Sequence, residues 1–72
     1  MWHPANILPP EGYITVDLGD NYVQVMVERT PLNTYLHTEP GVSFTWNDVK
    51  RWAEIPPDAI TMHGCEVAYR LQ

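Results

Sequence analysis

Between residues 12 and 28 apolar side chains fall on every second position twice over, and this double alternation restricts the chain more than any other feature. Ile14, Val16 and Leu18 point one way, and Tyr13, Thr15 and Asp17 the other. After Gly19-Asp20-Asn21, Val23, Val25 and Val27 alternate with Tyr22, Gln24, Met26 and Glu28. A period of two marks half-buried strands, and two such runs joined by Gly, Asp and Asn predict a β-hairpin. Directly opposed residues share a face, so gathering both aliphatic triplets in one core predicts Leu18 opposite Val23, Val16 opposite Val25 and Ile14 opposite Val27. In that register Asp20-Asn21 centres a two-residue turn, or residues 19–22 form a four-residue loop. A three-residue loop at 19–21 would set Leu18 against Tyr22 and mix the faces. The same register makes Val25→Asp a substitution that abolishes cooperative unfolding and Gln24→Asp a nearly silent one.

The rest of the chain is read around this hairpin. Pro4, Pro9 and Pro10 forbid helix in residues 1–11 and make them an arm, docked through Trp2, Ile7 and Leu8 or free. Thr30-Pro31-Leu32-Asn33 breaks the second strand, and residues 34–38 suit a short edge strand. Glu39-Pro40-Gly41-Val42 carries Pro and Gly at the two central positions of a type II turn. Thr45 followed by Asp48 resembles a capping box, flanked by Phe44 and Val49 as a hydrophobic staple. These signals predict a helix over residues 46–54, with Trp46, Val49, Trp52 and Ala53 as its apolar stripe and Pro56-Pro57 as its stop. In the tail, Cys65, Val67, Tyr69 and Leu71 alternate, whereas Ile60 and Met62 have the opposite parity. Either His63-Gly64 is a hairpin turn pairing Met62 with Cys65 and Ile60 with Val67, or one long strand carries a bulge there. The expected architecture is a single α+β domain over residues 1–72, in which an antiparallel sheet of three to five strands carries one helix on its apolar face. Its order is hairpin, short strand, helix, C-terminal strand or hairpin. Val67 and Leu71 of the tail and Val49, Trp52 and Ala53 of the helix join the hairpin aliphatics in that core.

Seventy-two residues exclude a two-domain enzyme, a doubly wound sheet and a barrel enzyme. One cysteine excludes an internal disulfide, so the fold rests on a small core or on a partner. Four bases against nine acids leave too little clustered positive charge to neutralise phosphates, so direct nucleic-acid binding is not expected. No segment reads as a signal peptide or membrane span, and a cytoplasmic protein is the expectation. His3, His37, His63 and Cys65 lie in unrelated segments without zinc spacing, so no metal or other cofactor is expected. Cys65 on the apolar side of a strand makes a poor nucleophile, and the hairpin carboxylates look solvated. With no P-loop, dinucleotide fingerprint or nucleophile elbow, the chain reads as a non-enzyme.

The candidate functional residues are on the outer hairpin face. Tyr13, Tyr22 and Met26 project there among Asp17, Asp20 and Glu28, with Trp2 in the arm close by in sequence to neither. Aromatic and Met side chains ringed by acids are the composition of a protein interface, and the competing readings are cover by Trp2, Ile7 and Leu8 or plain exposure. The expected function is that of a small acidic protein-binding protein, a regulator, adaptor or inhibitor whose partner presents a basic patch. In size and charge it resembles the short inhibitors that phages and mobile elements direct at host enzymes. Two other functions fit the composition. One is an acidic nucleic-acid mimic that blocks a DNA- or RNA-binding groove. The other is a structural subunit or homo-oligomer that uses the arm and an open sheet edge.

Overall fold

The alternation of the hairpin is realised, but the sheet it nucleates recruits nearly every other segment as a strand. In the computed structural model, which describes residues 1–62 and 66–71, six strands form one antiparallel sheet. They are β1 (Trp2–Pro4), β2 (Gly12–Asp17), β3 (Tyr22–Arg29), β4 (Thr34–Thr38), β5 (Arg51–Glu54) and β6 (Glu66–Leu71), in the spatial order β1-β5-β2-β3-β4-β6. Helical structure among the described residues is limited to single 3₁₀ turns at Trp46–Asp48 and Pro57–Ala59. The expected α+β fold with a packed helix is therefore corrected to a nearly all-β antiparallel sheet.

The helix expected over residues 46–54 fails for a physical reason that is visible in its surroundings. Its local start signal does form: the Thr45 N–H donates to Asp48 Oδ2 at 3.0 Å. It seeds one turn only, and Val49 is already extended at φ −80°, ψ 125°. A nine-residue helix containing Trp, Asn, Asp and Val lies below the roughly 12–15 residues at which isolated helices become marginal. The slot between β1 and β2 offers the same residues a ladder on both sides: Ala53 opposes Trp2 and Thr15, and Trp52 opposes His3 and Val16. Val49 and Trp52 are buried as the stripe requires, but Ala53 turns to the other face.

The hairpin register also differs from expectation, by two residues. Val16 faces Val23, Ile14 faces Val25 and Gly12 faces Val27. A slip of two preserves every side chain's face, so the hydrophobic pattern cannot distinguish the two registers. The turn decides. The Leu18 N–H donates to the Asn21 carbonyl at 2.9 Å, which places Gly19-Asp20 at its centre. Gly19 has φ +98°, and among the described residues no non-glycine residue has positive φ. A positive φ at the first central position alone is the requirement of a type II′ turn, and glycine meets it. The type II turn at residues 39–42 forms as expected, with Gly41 at φ +89° and the Val42 N–H on the Glu39 carbonyl.

One sheet face carries the core of Ile14, Val16, Val25, Val27, Leu36 and Trp52, joined by Phe44 and Val49. Irregular chain covers it in place of a helix. Residues 5–11 hold it through their carbonyls: Trp46 Nε1–H donates to Ala5 O and Trp52 Nε1–H to Ile7 O, each at 2.8 Å, while Arg29 reaches Pro9 O at 2.6 Å. The proline-rich arm is thus docked through its backbone and the buried Pro9, whereas Ile7 and Leu8 stay about half exposed. Residues 34–38 are not an edge strand, because β6 pairs with β4. Leu36 faces Tyr69 but His37 faces Val67, a register shift that inserts one extra residue in β6. Side-chain parity flips across it, so Tyr69 packs on the core while Val67, expected inside, is 54% exposed. The hairpin-or-bulge alternatives at His63-Gly64 lie outside the described residues. No described helix is long and apolar enough to cross a membrane.

Candidate protein-binding face

The opposite face of the sheet displays the outward residues of the hairpin together with those of its new neighbours. β5 places Arg51 directly opposite Asp17, which in turn faces Tyr22. Arg51 Nε–H donates to Asp17 Oδ2 at 2.8 Å, and Asp17 Oδ1 also accepts the Gly19 N–H at 2.8 Å. The guanidinium holds the Asp17 carboxyl below its ordinary range, with the Gly19 N–H adding to the effect, and Asp17 in return raises Arg51. β1 then lays Trp2 on the same layer. Its ring stacks on Tyr22 at 5.8 Å between centroids, and the Arg51 guanidinium lies 4.2 Å from its centre. The residues between Trp2 and β3 on that row are the small Ala53 and Thr15, which leave room for the indole.

The other half of the face is a row of Tyr13, Met26, His37 and Val67 across β2, β3, β4 and β6. Glu28 accepts a bond from His37 Nε2 at 2.8 Å. The expected site residues are thus largely brought together. Trp2, Tyr13 and Tyr22 are 39%, 40% and 62% exposed, Met26 is half-buried between Tyr13 and His37, and Asp20 stands apart at the turn tip. Of the arm, Trp2 and Pro4, which opposes Arg51, lie on this face, whereas residues 5–11 lie against the core side.

Two acids on the face already have partners: Asp17 is ion-paired with Arg51, and Glu28 is hydrogen-bonded to His37. Sequence reasoning missed both partners. Arg51 lies off the apolar stripe of the helix expected over residues 46–54, and His37 lies nine residues from Glu28, a relation that only the β3–β4 register reveals. A third pair sits on the core side, where His3 stacks on Trp52 at 4.3 Å and meets both Glu54 oxygens at 3.0 Å. Glu54 lies below its ordinary range, through its own backbone N–H first and His3 second. No group of three or more His, Cys, Asp or Glu side chains able to hold a metal gathers among the described residues.

Residues 57–62 cross the outer face on the way from β5 to β6, and Gln24 pins them. Its Nε2–H donates to Ala59 O at 3.0 Å, and its Oε1 accepts the Thr61 N–H at 2.9 Å. Gln24, expected to be a silent surface position, is a tether. Beside this strap a hollow of about 510 Å³ opens between β3 and the turn that follows β4, lined by Tyr22, Val23, Gln24, Glu39, Val42 and Met62 among others. Comparison of the chain with protein-family models, with curated proteins and with solved structures returned no match.

Proposed function

We propose that this chain works by binding another protein through its outer sheet face, as a regulator, adaptor or inhibitor acting in the cytoplasm. The observation that carries this reading is the layer formed by Trp2, Tyr22 and Arg51, continued by Tyr13 and Met26 and partly open to solvent. Trp, Tyr and Arg are the residues that dominate binding energy at protein interfaces. Here they are stacked and ion-paired before any partner arrives, so little side-chain entropy remains to be lost on association. A net charge of −5 favours a partner with a basic patch and raises its association rate rather than its final affinity. Binding is favoured over catalysis because the perturbed carboxyls, Asp17 and Glu54, are held down in their ionised form. A general acid working near neutral pH needs the opposite shift. A lone cysteine requires no oxidising compartment, which supports the cytoplasmic site of action.

The test uses a photo-crosslinking amino acid at Tyr13 and, as control, at Leu32, which is 88% exposed in the β3–β4 turn. In the cells that make the protein, the Tyr13 probe is expected to trap one defined protein that the Leu32 probe does not, and Tyr22→Ala to abolish the crosslink. Equal capture from both positions, or from neither, would refute the reading.

A further inference from the structure

The ladder between β3 and β4 stops before β3 does. It runs from Arg29 opposite Thr34 to Met26 opposite His37, while β3 continues against β2 as far as Tyr22 opposite Asp17. The chain turns away because the Glu39 carbonyl is taken by the Val42 N–H at 3.2 Å and Thr38 Oγ1–H donates to Val42 O at 3.1 Å. Pro40, next in line, has no N–H to offer.

The direction of the abandoned main-chain groups follows from the hairpin. Leu18 and Asn21 form a hydrogen-bonded pair, so Val16 and Val23 form the next. Alternation then turns the N–H and C=O of residues 22 and 24 away from β2, toward the side β4 has left. Among the described residues, these groups of Tyr22 and Gln24 have no main-chain partner. They border the 510 Å³ hollow, whose volume falls within the roughly 300–1,000 Å³ of ligand pockets.

We propose that the hollow receives an extended, positively charged peptide segment of the partner, which adds to β3 as a strand alongside Tyr22 and Gln24. The proposal deepens the protein-binding reading and rests on it. Strand addition draws affinity from main-chain hydrogen bonds and specificity from alternate side chains. The peptide residues opposite Tyr22 and Gln24 point to the outer face, where Tyr22 is 62% exposed and Glu39 lines the hollow with no ion-pair partner among the described residues. Arginine suits both positions, by charge toward Glu39 and by stacking on the phenol ring. The residue between them points to the core side, where Val23 and Val42 form the wall and select an aliphatic side chain. The recognised pattern is basic, aliphatic, basic.

The test is a nuclear magnetic resonance titration of the full ¹⁵N-labelled chain with acetyl-Thr-Arg-Val-Arg-Thr-amide. The largest shifts are expected at the Tyr22, Gln24 and Glu39 amides. N-methylating both arginine amides removes two hydrogen bonds and is expected to weaken binding by roughly ten- to a hundredfold. Glu39→Gln is expected to weaken the arginine peptide by up to about fivefold while leaving its Thr-Thr-Val-Thr-Thr counterpart unchanged. Silence of those amides at millimolar peptide, shifts confined to Trp2 and Tyr13, or equal affinity for the methylated peptide would each overturn the proposal. If the Tyr13 crosslink forms while the Gln24 amide stays silent, the binding face survives and the strand-addition site does not.

Discussion

Trp52 is the side chain on which the irregular cover of the core depends, and replacing it by Phe separates that role from simple bulk. The indole is 2% exposed, stacks under His3 and donates to the Ile7 carbonyl at 2.8 Å. Trp52→Phe removes the donor, leaves a carbonyl beneath residues 5–11 without that bond, and opens part of a ring volume that close packing cannot refill. Trp→Ala changes in cores cost about 3–5 kcal/mol, and an orphaned acceptor costs about 1–3 kcal/mol, so the milder change should cost about 2–3 kcal/mol. Trp46 makes the same kind of bond, to Ala5 at 2.8 Å, but is only partly buried. Trp46→Phe should cost about 1 kcal/mol. Against a total stability of about 3–5 kcal/mol, Trp52→Phe folds marginally and Trp52→Ala does not fold. Urea unfolding followed by far-ultraviolet circular dichroism reads both. With a slope near 1 kcal/mol per molar, the midpoint falls by about 2–3 M for Trp52→Phe and about 1 M for Trp46→Phe. Equal shifts, or a larger one at Trp46, would refute the claim that Trp52 clamps the cover.

Other perturbations test the turn and the outer ion pair. A Cβ on Gly19 meets nothing closer than Lys50 Cε at 3.5 Å, so Gly19→Ala is penalised for its φ of +98° alone. Thermal or urea unfolding should show about 1–2 kcal/mol lost for Gly19→Ala, with Asn21→Ala within about 0.5 kcal/mol of wild type. The reverse order would restore a turn centred on Asp20-Asn21. The Asp17 carboxyl is lowered from its ordinary 3.8 by Arg51, so its stabilisation is complete above that value and is lost as pH falls through the depressed folded value. Asp17→Asn should therefore lose less stability than wild type on acidification below about pH 4. Parallel pH curves would sink the assignment. Charge reversal of Asp20 and Glu39 together should slow association with the crosslinked partner at low salt and leave it nearly unchanged at high salt; unaltered rates at low salt would argue against steering.

The strands and faces of residues 12–28 were legible because alternation needs no tertiary information. Their register was not, because a two-residue slip leaves every face intact and only Gly19's backbone separates the candidates. β5 was illegible for a different reason. Thr45, Asp48, Val49 and Trp52 agree locally with a helix, and the competing gain, two ladders at once, depends on β1 and β2 being in place. The tail misled through its bulge, which sends Tyr69 inward and Val67 outward although their spacing alone puts them together. The outward positions of Tyr13, Tyr22 and Met26 were readable from parity, whereas Trp2 was legible only as an aromatic side chain in a proline-rich arm, and its place on this face follows from the β1–β5 pairing. The Arg51 that links Trp2 to Asp17 was hidden by the wrong secondary structure at its own position. The free edge of β3 was beyond reach, since it follows from where the β3–β4 ladder ends.

The binding face requires residues 51–54 to be a strand between β1 and β2, because β5 carries Arg51 and seats Trp2 beside it. Alternation of the ladder makes Val16 and Trp52 a non-hydrogen-bonded pair, whose α-protons approach closely. A nuclear Overhauser spectrum of the protein in deuterated water should therefore show a strong cross-peak between the α-protons of Val16 and Trp52. Its absence, together with α-to-β contacts three residues apart through residues 46–54, would make that segment a helix and contradict the account.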